Sequence, residues 1–389
     1  MTTYIYETVR TPRGKARPGG GLADVTPLTM LERLLDALRE RTGVGRADDM
    51  IVGCASQNAE QGGNLARTAA LAAGFDTPGM TLNRYCTSGI DAVRTAFALV
   101  ESGQSRVVVA GGVESVSRVP MFSDGGPLWA DPAVADRVGS IHMGVAADLV
   151  ATVEGFEREE LDAYGLRTQT LAAEAWAAGR YDRSLVPVND LRHDEHVRPG
   201  VTLEALAAMT PAFAGQDDQE AIVRRHRPEV GELRHLHTRG TSPGLCDAAG
   251  LLLVGSGAAG AELGLRPRAR IAGTATASVD PVIMLTAGQL AVERVVAGAG
   301  LTPDDVEVYE FAEAFAALCL KFQRDLKVGD DRFNTGGGTI AMGHAFGATG
   351  AILVTACADE LERRGARYGV AAVSGAAGSG SAVLLERVA

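Results

Sequence analysis

The sequence predicts an α/β protein built from two duplicated βαβ-rich halves, with a separate domain inserted into the first. Three observations lead there. Short apolar runs alternate with helical patterns at both ends of the chain. Those two ends echo one another in sequence. Between them lies a stretch in which the glycine-rich alternation stops and charged, polar residues take over. At 389 residues the chain exceeds one ordinary domain, so two or three units are expected.

Taken in order, Thr3 to Val9 reads as a first strand and Arg10-Thr11-Pro12-Arg13-Gly14-Lys15 as a loop. Pro27 to Arg41 carries Leu28, Leu31, Leu34, Leu35 and Leu38 at helical spacing. Met50 to Cys54 is a second strand, and Asn64 to Ala73 a helix of small residues. A short β-leaning run, Met80 to Tyr85, then meets Cys86-Thr87-Ser88-Gly89, followed by Ile90, Val93, Phe97 and Val100 on one helical face. Thr87 and Ser88 suit a helix start, and Gly89 lets another backbone approach closely. Cys86 is thereby placed at the positive end of a helix dipole, where a thiol pKa is lowered and the nucleophilic thiolate favoured. The bland alternative is a small buried apolar residue. Arg106 to Gly112 is a continuous apolar run, as in a strand buried on both faces.

From about Ser115 to Gly244 the chain mixes a helix over Glu157 to Ala178 with charged loop, which marks the insertion. Its basic segments, Arg224-Arg225-His226-Arg227 and Arg234 to Arg239, read as a solvated face, with a phosphorylated ligand as the alternative. His193 with His196 and His235 with His237 lack a nearby cysteine or paired spacing, so they read as solvated side chains and no metal is expected. After Asp247 the alternation resumes. Thr302 to Val308 echoes Arg46 to Val52, Gly347 opens a helix as Cys86 does, and Arg367 to Val373 parallels Arg106 to Gly112 at the same offset. This gives an N-terminal half at 1–115 completed by 245–265, an inserted domain at 116–244, and a C-terminal half at 266–389.

Bulk properties bound the function. Apolar residues make up 46% and charged residues 22%, as in a globular protein. A net charge of −11 lacks the basic footprint of general nucleic-acid binding. Five scattered cysteines with no CxxC pair indicate neither a disulfide framework nor a zinc ribbon. No signal pattern opens the chain and no apolar run approaches membrane-spanning length, so a cytoplasmic location without a membrane span is expected.

Two further stretches carry chemistry. In Asn334 to Gly347, His344 stands among glycines and small residues, three positions before the equivalent of Cys86. The repeat therefore turns the two sites toward each other, and a Cys–His pair is a standard means of activating a thiol. The alternative is a histidine bonded to main chain. Val373 to Gly380 is a strand entering a glycine-rich turn; it lacks P-loop spacing and reads as an oxyanion site, with the Cys86 N–H as the other donor.

Asn83 to Gly89 with these stretches, together with Tyr309-Glu310-Phe311-Ala312-Glu313-Ala314-Phe315 and Gly240 to Gly250, resembles the thiolase family (acetyl-CoA C-acyltransferases) over the whole chain. The resemblance implies the thiolase fold, a five-layer αβαβα arrangement with an inserted loop domain, assembled as a homodimer or homotetramer. It implies an acyltransferase acting on coenzyme A thioesters, with no permanently bound cofactor, in 3-ketoacyl-CoA thiolysis or Claisen-type condensation and hence in fatty acid metabolism. Carried over, Cys86 is the nucleophile, His344 its base, and the N–H groups of Cys86 and Ala376 polarise the acyl carbonyl. His142 and Met143 match residues that cover the acyl group, and Ala314 and Phe315 match the pocket lining. The departures are Ala312 for an asparagine, Ser374 for a second, acid/base cysteine, Pro243 for a serine and Ala345 for a proline. A serine hydroxyl is a poor acid/base at neutral pH, so the C–C step is expected to suffer more than acylation. Acyl transfer to another acceptor, thioester hydrolysis, and a non-catalytic acyl-CoA-binding homologue are the alternative readings.

Overall fold

A computed structural model describes residues 2–388. The first half runs β1 (Thr3–Arg10), α1 (Pro27–Thr42), β2 (Asp49–Gly53), α2 (Leu65–Ala72), β3 (Gly79–Leu82), α3 (Ser88–Glu101) and β4 (Val107–Glu114). The intervening region includes α4 (Met143–Glu154) and α5 (Arg158–Ala177). Then follow β5 (Cys246–Ser256), β6 (Ala269–Ser278), α6 (Ala287–Gly298), β7 (Val308–Phe311), α7 (Ala316–Leu326), α8 (Phe346–Arg364), β8 (Tyr368–Gly375) and β9 (Ser379–Arg387). These bounds lie close to those read from the sequence, because each element carries its own punctuation. Thr26 caps α1, with Pro27 in the first turn and left-handed Gly43 at the end. Glu157 and Glu160 form a reciprocal capping box at the start of α5.

The strand order is β3-β2-β4-β5-β1-β6-β9-β8-β7. Its two arms mirror one another about the β1–β6 pair. In the first arm β2 runs parallel to both β3 and β4, while β5 and β1 are antiparallel. In the second arm β7 is parallel to β8, while β9 and β6 are antiparallel. The counterpart of β3 is reduced to a single bridge between Tyr309 and Phe333. Only Tyr4 and Ile5 of β1 pair with Arg270 and Ala269 of β6, so the two sheets meet edge to edge in one continuous sheet.

One detail of the repeat differs from the sequence reading. Asp49 pairs with Val108 and Val308 with Gly369, so Val308 is the counterpart of Asp49 rather than of Val52. The echo of acidic residues before each strand is real, but its register slips by a few residues because the approach to β7 is a 3₁₀ turn (Pro303–Asp305).

α1 packs outside the first arm and α6 outside the second, while α3 and α8 lie between the two arms. Buried Ile90, Val93 and Val100 of α3 share a core with Ala351, Val354 and Ala358 of α8 and with residues from both arms. That is the alternation of helix and sheet layers expected of αβαβα. The central helices approach through glycine: a Cβ on Gly89 would lie 2.3 Å from the Gly347 carbonyl oxygen, and one on Gly350 would lie 2.4 Å from the Ile90 nitrogen. The approach predicted for Gly89 is thus made by the duplicated turn.

The intervening region is tied down by a buried ion triad. Asp194 receives Arg10 Nη1 at 2.8 Å and Arg13 Nη1 at 2.7 Å. Two cations sharing one carboxylate in the interior are expensive to break, since loss of the anion leaves both uncompensated.

Candidate active site

β3 ends at Leu82, and the chain turns sharply before α3. Tyr85 takes φ +52°, a left-handed conformation unusual for a bulky side chain. Thr87 and Ser88 do not cap the helix as expected. Thr87 Oγ1 donates to the Arg84 carbonyl and to Asp91 Oδ2, and Ser88 Oγ accepts from Arg84 N–H while donating to the Tyr85 carbonyl. The hydroxyls thereby fasten the strained turn rather than the helix end, and they fix where Cys86 points.

Cys86 faces a small pocket of about 40 Å³ lined by Tyr85, Phe122, Trp129, Met143, Phe346 and Ala376, among others. Beside it opens a groove of about 700 Å³, which shares Phe122, Trp129, Met143 and Ala376 and adds His142, Gln219 and Arg225. The lowered thiol pKa expected from the helix dipole is not found. Burial pushes Cys86 up to about 12, and the Glu114 carboxylate adds to the rise. The N–H groups of Cys86 itself and of Ala376 act in the opposite direction, and Ala376 lines the same pocket as Cys86. Ala376 is held there by a turn in which Ala377 and Gly378 have positive φ.

His344 is buried in the turn before α8, where its N–H donates to the Gly244 carbonyl at 2.9 Å. Nδ1 lies 2.8 Å from Thr349 Oγ1, which fixes the ring plane. The ring stands edge-on to Phe346, which itself lines the Cys86 pocket. Burial, with Arg13 adding to it, takes the imidazole down to about 4. At neutral pH both partners are therefore uncharged.

The other expected residues divide. His142 caps α4 through Nδ1, which accepts from Gly144 N–H, and together with Met143 it lines the groove. Ala314 and Phe315 lie buried behind it: Phe315 meets Phe213, which in turn stacks near His142. Neither lines the Cys86 pocket or the groove among the described residues. Ser374 is buried, and its hydroxyl donates to the Leu285 carbonyl at 2.7 Å and accepts from Gly288 N–H at 2.9 Å.

His193 is exposed, as expected, but three other histidines of the intervening region depart from the reading of solvated side chains: His235 is half-buried between Asp148 and Glu220, and His196 and His237 are also drawn in. His237 is fully buried, with Nδ1 2.8 Å from Asp148 Oδ1 and Nε2 accepting from Ala317 N–H at the start of α7. His196 packs against Gly244, with Nε2 3.0 Å from the Leu245 carbonyl. Buried Asp148 draws His237 inward, and nothing local in the sequence signals that. The basic segments are ion-paired instead of gathered: Arg225 meets Asp136, Arg227 meets Glu229 and Asp280, and Arg234 meets Glu157. No cluster of three metal-ligating side chains occurs among the described residues.

Residues 3–218 match the thiolase N-terminal domain family, and residues 265–387 match the thiolase C-terminal domain family. The chain belongs to the thiolase family. It is 37% identical to a β-ketoadipyl-CoA thiolase of Pseudomonas knackmussii and 35% identical to a 3-oxoadipyl-CoA/3-oxo-5,6-dehydrosuberyl-CoA thiolase of Escherichia coli, with 99% of each chain covered. Among solved structures it is similar to a Bacillus anthracis acetyl-CoA acetyltransferase (TM-score 0.86, 32% identity, 100% of this chain and 99% of that one). It also superimposes on human mitochondrial 3-ketoacyl-CoA thiolase (TM-score 0.86, 28% identity, the same coverage). The thiolase fold and a thiolase-type acyl-CoA acyltransferase activity follow.

In this thiolase, two buried polar groups escaped the sequence reading, and the first touches the site. Glu114, at the end of β4, is a fully buried carboxylate beside the Cys86 turn. Its oxygens accept from Ala55 N–H, Ser56 N–H, Gln61 Nε2 and Gly347 N–H. Ser242, next to Pro243, has a buried hydroxyl with no protein partner. The signal for Glu114 was a carboxylate closing an otherwise apolar strand; Ser242 gave none. No helix is long and apolar enough to cross a membrane among the described residues.

Proposed function

We propose that this thiolase works through an acyl thioester on Cys86. The Cys86 sulfur attacks the carbonyl carbon of an acyl-CoA as its proton passes to His344, and the carbonyl oxygen is received by the N–H groups of Cys86 and Ala376. Collapse expels the coenzyme A thiolate, which takes the proton back and leaves Cys86 acylated. The observation that carries this reading is that Cys86 and Ala376 line one pocket with Phe346, against which the His344 ring stands edge-on, beside a groove of about 700 Å³. His142 and Met143 line the mouth of that groove. Five free cysteines fit a reducing, cytoplasmic setting. The family pattern supports a homodimer or homotetramer and a loop domain at 116–244. Incubation with acetyl-CoA followed by peptide mass spectrometry should show an acetyl group on Cys86, absent in Cys86→Ala. No adduct on the wild-type protein would sink the proposal.

A second reading concerns what happens next. Ala312 offers no polar side chain, and the Ser374 proton is committed to the Leu285 carbonyl. Neither group is free to move a proton at the α-carbon, so acyl transfer to another acceptor, or hydrolysis, competes with C–C chemistry. Comparing the rate of Cys86 acylation with that of CoA-dependent cleavage of a 3-ketoacyl-CoA separates the two.

A further inference from the structure

Building on the acyl-Cys86 reading, we propose that this enzyme selects acyl groups with an uncharged, apolar tail and rejects those ending in a carboxylate, with Tyr85, Phe122 and Trp129 as the specificity-determining wall. The groove beside Cys86 has a polar flank, including Gln216, Gln219 and Asp218, suited to the amides of a pantetheine arm. The small pocket does not. Among the described residues, none that lines it is charged. Trp129 lies edge-on to Tyr85 at 5.7 Å and tilted against Phe122 at 5.0 Å, so three rings enclose one side. Phe122 has φ +69° and Tyr85 φ +52°, so two of the three rings are held by backbone conformations that bulky residues rarely adopt. Strain of that kind persists where surrounding structure enforces it, often at ligand-facing positions.

The charged groups held against the wall of this pocket are acids, and Arg225 of the adjoining groove is paired with Asp136. Asp124 accepts from Trp129 Nε1 at 3.0 Å, and its charge raises the Tyr85 phenol, with burial as the larger cause. Glu114 lies on the other side and raises the Cys86 thiol. Arg84, next to Tyr85 in sequence, is occupied by Asp91. A tail carboxylate would therefore lose its water among aromatic rings, find Arg84 and Arg225 already paired, and face a like charge. A methyl-terminated tail loses nothing.

The test uses two 3-ketoacyl-CoA substrates of equal chain length, one ending in a methyl group and one in a carboxylate, with kcat/KM for CoA-dependent cleavage and the Cys86 adduct both recorded. The wild-type enzyme should favour the methyl-terminated substrate by roughly 10²-fold, the scale on which an unpaired polar group is rejected by a site built for another. Asp124 is exposed, so Asp124→Asn should fold normally and narrow the preference several-fold. Trp129→Ala should narrow it further by admitting water. A wild-type ratio near one, or a ratio that neither variant moves, overturns the specificity assignment while leaving acylation intact. Absence of any adduct from either thioester overturns the acyl-Cys86 reading, and this inference with it.

Discussion

Glu114 Oε2 accepts the backbone N–H of Gly347 at 2.9 Å, joining the last residue of a first-half strand to the first turn of the helix that follows His344. The same oxygen holds Ala55 N–H, while Oε1 holds Ser56 N–H, and Ala55 and Ser56 both line the Cys86 pocket. One buried carboxylate thus sets the position of the pocket wall and of the histidine turn together. Burial raises its pKa, and the four donors pull it back toward the ionised form.

Glu114→Ala would strand three backbone N–H groups without acceptors and remove one of the two acceptors of Gln61 Nε2, leaving it the Ser56 carbonyl. Each unsatisfied buried group costs roughly 1–3 kcal/mol, so a loss of about 3–5 kcal/mol in denaturant unfolding is expected. A loss below about 1 kcal/mol would show that water replaces the carboxylate without consequence.

The neutral resting pair has a kinetic signature. His344 must be unprotonated to take the Cys86 proton, and its pKa of about 4 keeps it so across the neutral range. The acid limb of kcat/KM, which reports free-enzyme groups, should therefore fall near pH 4 rather than near the ordinary imidazole value of 6.5. Because Cys86 is raised to about 12, no thiolate inflection is expected between pH 6 and 9 on the same profile. An inflection near 6.5 that disappears in a His344 variant would contradict the burial argument.

The same shift affects stability. The unfolded chain protonates this histidine near 6.5, whereas the folded chain resists until about 4. Stability from this site is therefore complete above 6.5 and is lost as pH falls from 6.5 toward 4. At about 1.4 kcal/mol per unit the loss approaches about 3 kcal/mol. His344→Gln should flatten that part of the pH–stability curve, measured by urea unfolding at several pH values. The sign reverses for Cys86: its contribution is complete below pH 9 and declines as pH rises toward 12.

Much of this was legible in the sequence because it is carried locally. Strand and helix bounds came from caps, prolines and apolar spacing, and the repeat from the parallel between Cys86-Thr87-Ser88-Gly89 and Gly347-Ala348-Thr349-Gly350. What escaped depends on partners distant in the chain. The thiol of Cys86 was read from the helix dipole alone, but desolvation and Glu114, which no local pattern places beside it, dominate. His237 looked like part of a polar loop until Asp148 and the N-terminus of α7 claimed its two nitrogens. Antiparallel β5 and β9 are long buried runs that periodicity cannot orient.

Ser374 offers a test of structural against chemical roles. Its hydroxyl bridges the Leu285 carbonyl and Gly288 N–H, on either side of the start of α6. Ser374→Ala leaves both groups buried and unpaired, so stability should fall by about 1–3 kcal/mol. If the hydroxyl only holds α6, the rate of Cys86 acylation should change less than threefold. A drop in acylation of roughly 10²-fold, the scale of a lost general acid or base, would instead place Ser374 in the chemistry.

The deepest dependence of the site on the duplication lies where α3 and α8 cross. The Gly347 carbonyl oxygen sits so close that a Cβ on Gly89 would reach it at 2.3 Å and one on Gly112 at 2.0 Å. Both contacts are to backbone, which cannot swing aside as a side chain can. In Gly89→Ala either α8 retreats or the Cys86 turn does, and the Glu114–Gly347 bond lies directly in the path of that movement. Overpacking of this kind typically costs about 1–3 kcal/mol. The displacement should also cost activity, because the Cys86 thiol and the His344 ring are carried on the turns that open the two helices being pushed apart. The expected result is a folded protein of lowered melting temperature whose Cys86 acylation is slowed by roughly 10²-fold, as a misplacement of about 1 Å produces. Gly350→Ala, the symmetry-related change against Ile90 N, should act in the same direction. Equal stability and full acylation in both variants would mean that the two turns are positioned independently.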